Sequence, residues 1–159
     1  MLLKEQNVLI TGAAEGLGYA ISSAFDKENA NLFLIDKDFK KLNSNGFDNA
    51  KIFHVDLSNI IELNNFINLM DKNKIEINTL IHNASILTPT SFEETSEKYW
   101  DEVNNITLKT AFILSKFVWR KMLKKKNGVI IFVSSRAGIE GFKDESAYCA
   151  AKHGLEGLM

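Results

Sequence analysis

The chain has 159 residues, enough for one domain with a buried core, and its 45% hydrophobic and 25% charged residues are ordinary for a globular protein. A net charge of −1 gives no basic excess, so we expect neither a nucleic-acid nor a membrane partner, and we also expect no metal site. The single cysteine, Cys149, cannot form an internal disulfide, and the first residues lack the apolar core of a signal peptide. We therefore expect a cytoplasmic protein.

The first predicted element is a strand at residues 7–10, followed by a glycine-rich turn at 11–18 and a helix with apolar positions at helical spacing. Gly12, Gly16 and Gly18 allow tight turning and close approach of a ligand to the backbone. The N–H groups that open the helix favour an anion. The segment predicts a phosphate-binding turn, although a glycine-rich turn without a ligand fits the same three residues.

Asp36 favours the ligand-binding interpretation. It ends a second predicted strand, at residues 31–35, and lies 18 residues beyond Gly18. A dinucleotide-binding βαβ unit needs a carboxylate at this place for the hydroxyl groups of the adenosine ribose. The sequence therefore predicts a dinucleotide site.

The rest of the chain alternates strands with helices. Strands are predicted at residues 51–55, 77–81 and 129–133, and helices at 60–70 and, as one long element, at 96–126. Because each crossover supplies a dozen or more residues, we predict an α/β fold, a Rossmann-like doubly wound parallel sheet with helices on both faces. The carboxyl ends of such strands meet at one edge, which gathers the turn at 11–18, Asp36, Asp56 and Asn83.

Two further patterns concern the last third of the chain. The wholly apolar strand at 129–133 predicts a strand that is covered on both faces. Tyr148 and Lys152, four residues apart near the start of a helix, lie on one helix face. An ammonium beside a phenol favours the phenolate, which suits acid/base chemistry, but the pair alone is also typical of an exposed helix surface.

Together these residues resemble the short-chain dehydrogenase/reductase family, over essentially the whole chain. The first turn of that family reads T-G-x-x-x-G-x-G, and it is matched here by Thr11, Gly12, Gly16 and Gly18. Asp36, with Glu15 before Gly16, implies NAD rather than NADP. The resemblance places these residues at the cofactor: Thr11, Gly12, Gly16, Leu17, Gly18, Asp36, Asp56, Leu57, Asn83, Ala84, Tyr148 and Lys152.

The resemblance also implies a catalytic set of Ser135, Tyr148 and Lys152, with Ser135 lying 13 residues before Tyr148. Tyr148 would be the general acid/base toward a carbonyl or alcohol, and Ser135 would hydrogen-bond the reacting oxygen. Lys152 would hold the nicotinamide ribose and favour the phenolate. The expected reaction is hydride transfer between the cofactor and a small alcohol or carbonyl compound.

The chain departs from the family pattern in three places. The helix asparagine of the family falls on Thr107, and we hypothesise that Asn104, one turn earlier, partly replaces it through a water molecule. The N-N-A-G motif reads His82-Asn83-Ala84-Ser85, with a side chain in place of its glycine. The chain also ends at Met159, before the last strands of typical members, so we expect one Rossmann domain over residues 1–159, incomplete at its C-terminus.

Two functions are consistent with the sequence. The first is an NAD-dependent oxidoreductase that acts on a small substrate and forms a homo-oligomer through the helices beginning near Ser96 and Tyr148. The second is a truncated, catalytically impaired relative that binds nucleotide or only self-associates. A nucleic-acid-binding domain on a similar sheet is disfavoured because the chain has no basic stripe. The substrate and the direction of the reaction are not specified by the sequence.

Overall fold

A computed structural model describes residues 3–159 of the chain. In this part of the chain, five parallel strands form one sheet in the order β3-β2-β1-β4-β5, and six α-helices connect or follow them. In chain order the elements are β1 (Asn7–Thr11), α1 (Gly16–Lys27), β2 (Asn31–Asp36), α2 (Phe39–Ser44), β3 (Ala50–His54), α3 (Ile60–Lys72), β4 (Thr79–His82), α4 (Glu97–Asn104), a π turn (Asn105–Lys109), α5 (Thr110–Lys125), β5 (Val129–Phe132), a 3₁₀ turn (Arg136–Gly138) and α6 (Ser146–Leu158).

The sheet is packed on both faces, as the alternating pattern predicts. Successive residues of β1 enter different cores, because side chains of a strand point alternately to its two faces. Leu9 packs with α3 and α5, whereas Val8 and Ile10 pack with α1 and α2. The α/β, doubly wound fold expected from the sequence is therefore confirmed, and it has three layers.

Helix caps set where the helices begin. Asn59 is the N-cap of α3, because its side-chain oxygen accepts a hydrogen bond from the N–H of Ile61 at 3.0 Å. Ser96 caps α4 in the same way through Tyr99. None of the helices in residues 3–159 is long and apolar enough to cross a membrane.

The prediction of one uniform helix over residues 96–126 is wrong in one respect. The helical path continues, but it passes through the π turn, where the N–H of Thr110 bonds back five residues to the carbonyl of Asn105. One extra residue in a single turn leaves the apolar spacing on either side intact. The spacing therefore predicts the helix and does not reveal the turn.

The prediction that the strand at 129–133 is covered on both faces is also wrong. β5 lies at the edge of the sheet and pairs only with β4 among the described strands. Its alternate residues Val129 and Ile131 are 51% and 42% exposed. Ile130, between them, points the other way and packs with the core of α3 and α5, so one face of this edge strand is covered and the other is open.

Candidate functional site

The carboxyl ends of the strands meet at one edge of the sheet, as predicted. Thr11 is level with Ile35 on β2 and with His82 on β4. At this edge lies a cavity of about 400 Å³, a size typical of ligand sites. It is lined by Gly12, Glu15, Asp36, Lys37, Val55, Asp56, Leu57, Asn83, Ala84, Ser85, Ile86 and Ile106.

A second, more open cavity of about 640 Å³ lies at the opposite edge, beside the first residues of β1, β2 and β3. It is larger, but it faces away from the glycine turn and from the carboxyl ends where open parallel sheets bind ligands. The smaller cavity is therefore the candidate site.

The glycine turn forms one wall of the candidate site. Gly12 and Gly16 have φ of +64° and +55°, in the left-handed region that glycine enters without strain. A Cβ on Gly18 would lie 1.9 Å from the carbonyl oxygen of Gly12, whereas one on Gly16 would meet nothing within 4 Å. Gly18 thus permits the turn to pack, and Gly16 leaves open space in front of α1.

The N-terminus of α1 is open to a ligand. The residue before it, Glu15, makes no side-chain capping hydrogen bond. Leu17, also predicted at the cofactor, is 56% exposed in the first turn. Backbone N–H groups without a side-chain cap, at the positive end of a helix dipole, suit a phosphate.

Asp36 is held in a fixed orientation at the end of β2. Its Oδ2 accepts a hydrogen bond from the N–H of Ala14, and its Oδ1 accepts one from the N–H of Asp38, both at 2.9 Å. Glu15 forms an exposed ion pair with Lys41, and hydrogen bonding to Glu15 raises the pKa of Lys41. This end of the cavity therefore carries the fixed carboxylate of Asp36, with Lys37 and the Glu15–Lys41 ion pair beside it.

Asp56 and Leu57 form the opposite wall. The Oδ1 atom of Asp56 accepts hydrogen bonds from the N–H and the hydroxyl of Ser58, at 2.9 and 2.7 Å. The carbonyl of Leu57 accepts a hydrogen bond, at 3.3 Å, from the hydroxyl of Thr110. Thr110 is the residue whose backbone N–H closes the π turn. This wall is thus connected to the long helical segment.

Thr11 and Asn83 join the glycine turn to β4. The buried hydroxyl oxygen of Thr11 accepts hydrogen bonds from the N–H groups of Asn83 and Ala84, each at 3.0 Å. The side-chain amide of Asn83 donates to the carbonyls of Thr11 and Gly12 at 3.2 and 3.1 Å. These bonds fix the floor of the cavity, and direct contact of Thr11, Asn83 and Ala84 with a cofactor stays a prediction.

His82, the residue before Asn83, does not line the cavity, and its contacts were not predicted from the sequence. It is buried, and its ring nitrogens lie 3.0 Å from the hydroxyl of Thr11 and 3.0 Å from the carbonyl of Thr107. Burial lowers the pKa of His82 to about 4, so it is neutral at physiological pH. The signal available in the sequence was the coincidence of two departures from the family pattern, His82 and Thr107.

Tyr148 and Lys152 lie on one face of α6. The Nζ of Lys152 is 5.4 Å from the centre of the Tyr148 ring and donates a hydrogen bond to the carbonyl of Val133 at 2.7 Å. Lys152 is 1% exposed, and burial lowers its pKa from 10.5 to about 8. The pair is therefore not an exposed surface pair, because the lysine is enclosed.

Ser135 follows β5 and begins the 3₁₀ turn. Its hydroxyl oxygen accepts a hydrogen bond from the N–H of Ala137 at 3.2 Å. The turn packs closely on α6, since a Cβ on Gly138 would lie 3.2 Å from the carbonyl oxygen of Lys152. Ser135, Tyr148 and Lys152 thus occupy neighbouring elements, but none of the three lines the 400 Å³ cavity.

Asn104 bonds within its own helix. The side-chain amide of Asn104 donates to the carbonyl of Trp100 in its own helix at 2.9 Å, so its substitution for the family asparagine stays a prediction. No cluster of three or more potential metal ligands occurs among residues 3–159.

The lowered pKa of Lys152 predicts a pH-dependent stability. Between pH 8 and 10.5 the unfolded chain binds more protons at this lysine than the folded chain, so the free energy of unfolding rises with pH there. We expect a rise on the order of 2 kcal/mol from pH 8 to 10, relative to Lys152→Met, in urea denaturation. In the control Lys143→Met, at an exposed position, the free energy of unfolding should change with pH as it does in the parent. If the parent and Lys152→Met show the same change with pH, the lowered pKa of Lys152 is contradicted.

Comparisons with known proteins agree with this geometry. The short chain dehydrogenase family model matches residues 6–159. An uncharacterized oxidoreductase of Bacillus subtilis (strain 168) is 32% identical over 163 aligned positions, which cover 98% of this chain and 63% of the relative. The chain thus spans less than two thirds of the length of that relative.

Two solved structures are similar in fold. A 4-hydroxyisoleucine dehydrogenase complexed with NADH has a TM-score of 0.89 at 28% identity, covering 97% of this chain and 66% of the other. A metagenomic short-chain oxidoreductase in complex with NADP has a TM-score of 0.93 at 28% identity, covering all of this chain and 74% of the other. On the family match and the shared fold, the chain belongs to the short-chain dehydrogenase family.

Proposed function

We propose that this chain binds NAD and carries the acid/base residues of an oxidoreductase that transfers a hydride between the cofactor and a small alcohol or carbonyl compound. The observation that carries the proposal is the meeting of the uncapped N-terminus of α1 with the fixed carboxylate of Asp36 in one cavity. An anion-binding helix end and a ribose-binding carboxylate are what a dinucleotide requires.

The open space in front of Gly16 fits the pyrophosphate of such a cofactor, because a side chain there would fill it. Leu17 and Gly18 supply further N–H groups of the same helix turn. Asp56, Leu57 and the Asn83-Ala84 segment would enclose the adenine and ribose from the other wall. We infer NAD rather than NADP, since a ribose phosphate would lie beside the carboxylates of Asp36 and Glu15.

In the proposed mechanism the bound nicotinamide supplies or accepts the hydride. The phenol of Tyr148 gives a proton to the carbonyl oxygen in reduction and takes it from the alcohol in oxidation. The hydroxyl of Ser135 donates a hydrogen bond to the same oxygen and keeps it beside Tyr148. The ammonium of Lys152, held by the carbonyl of Val133, would orient the cofactor ribose beside Tyr148.

The alternative function is a nucleotide-binding or self-association module without turnover. Thr107 at the position of the family asparagine favours it.

We also infer a homo-oligomer through the helices that begin near Ser96 and Tyr148, in a cytoplasmic protein. Its support is a group of exposed apolar side chains on α4 and α5, namely Trp100, Phe112, Trp119 and Leu123.

Asp36→Ala tests the cofactor preference. The parent should bind NADH at least about tenfold more tightly than NADPH, and the variant should lose most of this preference because the repelling carboxylate is gone. Fluorescence titration of both nucleotides measures it. In the control Asp48→Ala, an acid beside the cavity at the opposite edge is removed, and the preference for NADH should remain. Equal affinities of the parent for NADH and NADPH would refute the role of Asp36.

Tyr148→Phe separates chemistry from binding. Turnover of NADH with a panel of small aldehydes and ketones should fall by about 10² to 10⁴, because only the acid/base group is removed. The dissociation constant for NADH should change less than about twofold. Tyr19→Phe, at an exposed tyrosine of α1, is the matched control. A parent that binds NADH without turnover would favour the alternative, and a variant as active as the parent would exclude Tyr148 from the mechanism.

Trp119→Glu tests self-association. Trp119 is 57% exposed on α5, and a charge there should disrupt an apolar contact between copies. Sedimentation velocity should show a dimer or larger species for the parent and mainly monomer for the variant. Leu69→Glu, at a 45% exposed position on α3, should sediment like the parent. A monomeric parent would contradict the oligomer.

A further inference from the structure

His82 connects the glycine turn to the π turn. It is the last residue of β4 and is 1% exposed. Its Nδ1 lies 3.0 Å from the hydroxyl of Thr11, and its Nε2 lies 3.0 Å from the carbonyl of Thr107. One ring therefore spans from the end of β1 to the middle of the long helical segment.

The partners of Thr11 determine the tautomer of His82. A hydroxyl has one hydrogen to donate and two lone pairs with which to accept. Both lone pairs of the Thr11 hydroxyl are engaged by the N–H groups of Asn83 and Ala84. Its hydrogen is left for the Nδ1 of His82, which must accept. The neutral ring therefore carries its hydrogen on Nε2 and donates it to the carbonyl of Thr107.

The π turn bears on the helix that holds Tyr148 and Lys152. Leu108, within the turn, contacts α6 so closely that a Cβ on Gly154 would lie 2.5 Å from its side chain. Val103, just before the turn, packs on Ala147 and Ala151 of α6. The position of α6 thus depends on how the π turn is held.

Thr107 does not hold the turn by its own side chain. Its hydroxyl is buried and makes no hydrogen bond with any other described residue. The backbone carbonyl of Thr107 is the group that is tied to the sheet, and the tie comes from His82.

We propose that His82 is a positioning residue: by donating its Nε2–H to the Thr107 carbonyl, it fixes the π turn on β4 and so holds α6. The inference rests on the proposed function only in treating Tyr148 and Lys152 as the reacting groups. On this proposal, His82 anchors the π turn at Thr107, the position where the family carries asparagine.

A matched pair of substitutions isolates the proposed hydrogen bond. In His82→Gln, the side-chain amide nitrogen reaches the place of Nε2 and can donate to Thr107. In His82→Met, a side chain of similar length fills the space but has no N–H. A buried carbonyl that loses its donor is costly, so we expect amides of the π turn to exchange hydrogen at least about tenfold faster in the Met variant. In the Gln variant, the rates should stay within about threefold of the parent.

Two further measurements accompany hydrogen exchange. The ¹⁵N and ¹H signals of the His82 ring in the parent should show the neutral Nε2–H tautomer at pH 7. The pKa of Lys152, followed by NMR of its side chain, should stay near 8 in the Gln variant and rise in the Met variant as water reaches α6. His54→Gln, at an exposed strand histidine, is the control and should change none of these readings.

Each result either supports the proposal or overturns it. The Nε2–H tautomer together with rescue by Gln supports it. An Nδ1–H tautomer, or equal exchange rates in the Gln and Met variants, overturns it by showing that the ring only fills space. If the Met variant fails to fold, the tautomer of the parent and the Gln variant still decide. These arms need no cofactor, so a parent that fails to bind NADH would refute the proposed function and leave the result on His82 unchanged.

Discussion

The buried hydroxyl of Thr11 is the interaction on which the arrangement of the site depends. It joins the end of β1 to the end of β4 through the N–H groups of Asn83 and Ala84, while it donates to His82. Because water is excluded there, losing this hydroxyl would leave several buried polar groups without partners, each at a cost of about 1–3 kcal/mol. These hydrogen bonds therefore also fix the position of the glycine turn that follows Thr11.

The π turn connects the two halves of the site. On one side, the single hydrogen of the Thr110 hydroxyl is shared between the carbonyl of Asn105 at 2.9 Å and the carbonyl of Leu57 at 3.3 Å, which joins the turn to the wall of the cavity. On the other side, His82 bonds to Thr107, and the turn packs against α6. The cavity and the Tyr148–Lys152 pair therefore share one support, although they do not share lining residues.

Much of the fold follows from the sequence because the carboxyl ends of parallel strands must meet. Asp36, Asp56 and Asn83 are far apart in the chain, yet strand order alone brings them to one edge. The π turn could not be predicted in this way, since one additional residue preserves the 3.6-residue pattern on each side. The contacts of His82 were not predicted, because the departures from the family pattern at His82 and Thr107 do not by themselves show that the end of β4 lies beside the π turn. The apolar residues of β5 predict a strand in the sheet, but whether each of its two faces is covered depends on helices elsewhere in the chain.

Lys152 shows how the site differs from an ordinary core. A cation with 1% exposure and a hydrogen bond to the carbonyl of Val133 loses most of its hydration, and the lowering of its pKa reflects that loss. Replacement of a buried charged group by an apolar one often preserves or increases stability, so stability alone does not explain a lysine here. The enclosed ammonium lies 5.4 Å from the centre of the Tyr148 ring. In the proposed function this burial places an ammonium beside the tyrosine that would act as acid and base, so the lysine serves the proposed site at a cost to the stability of the fold.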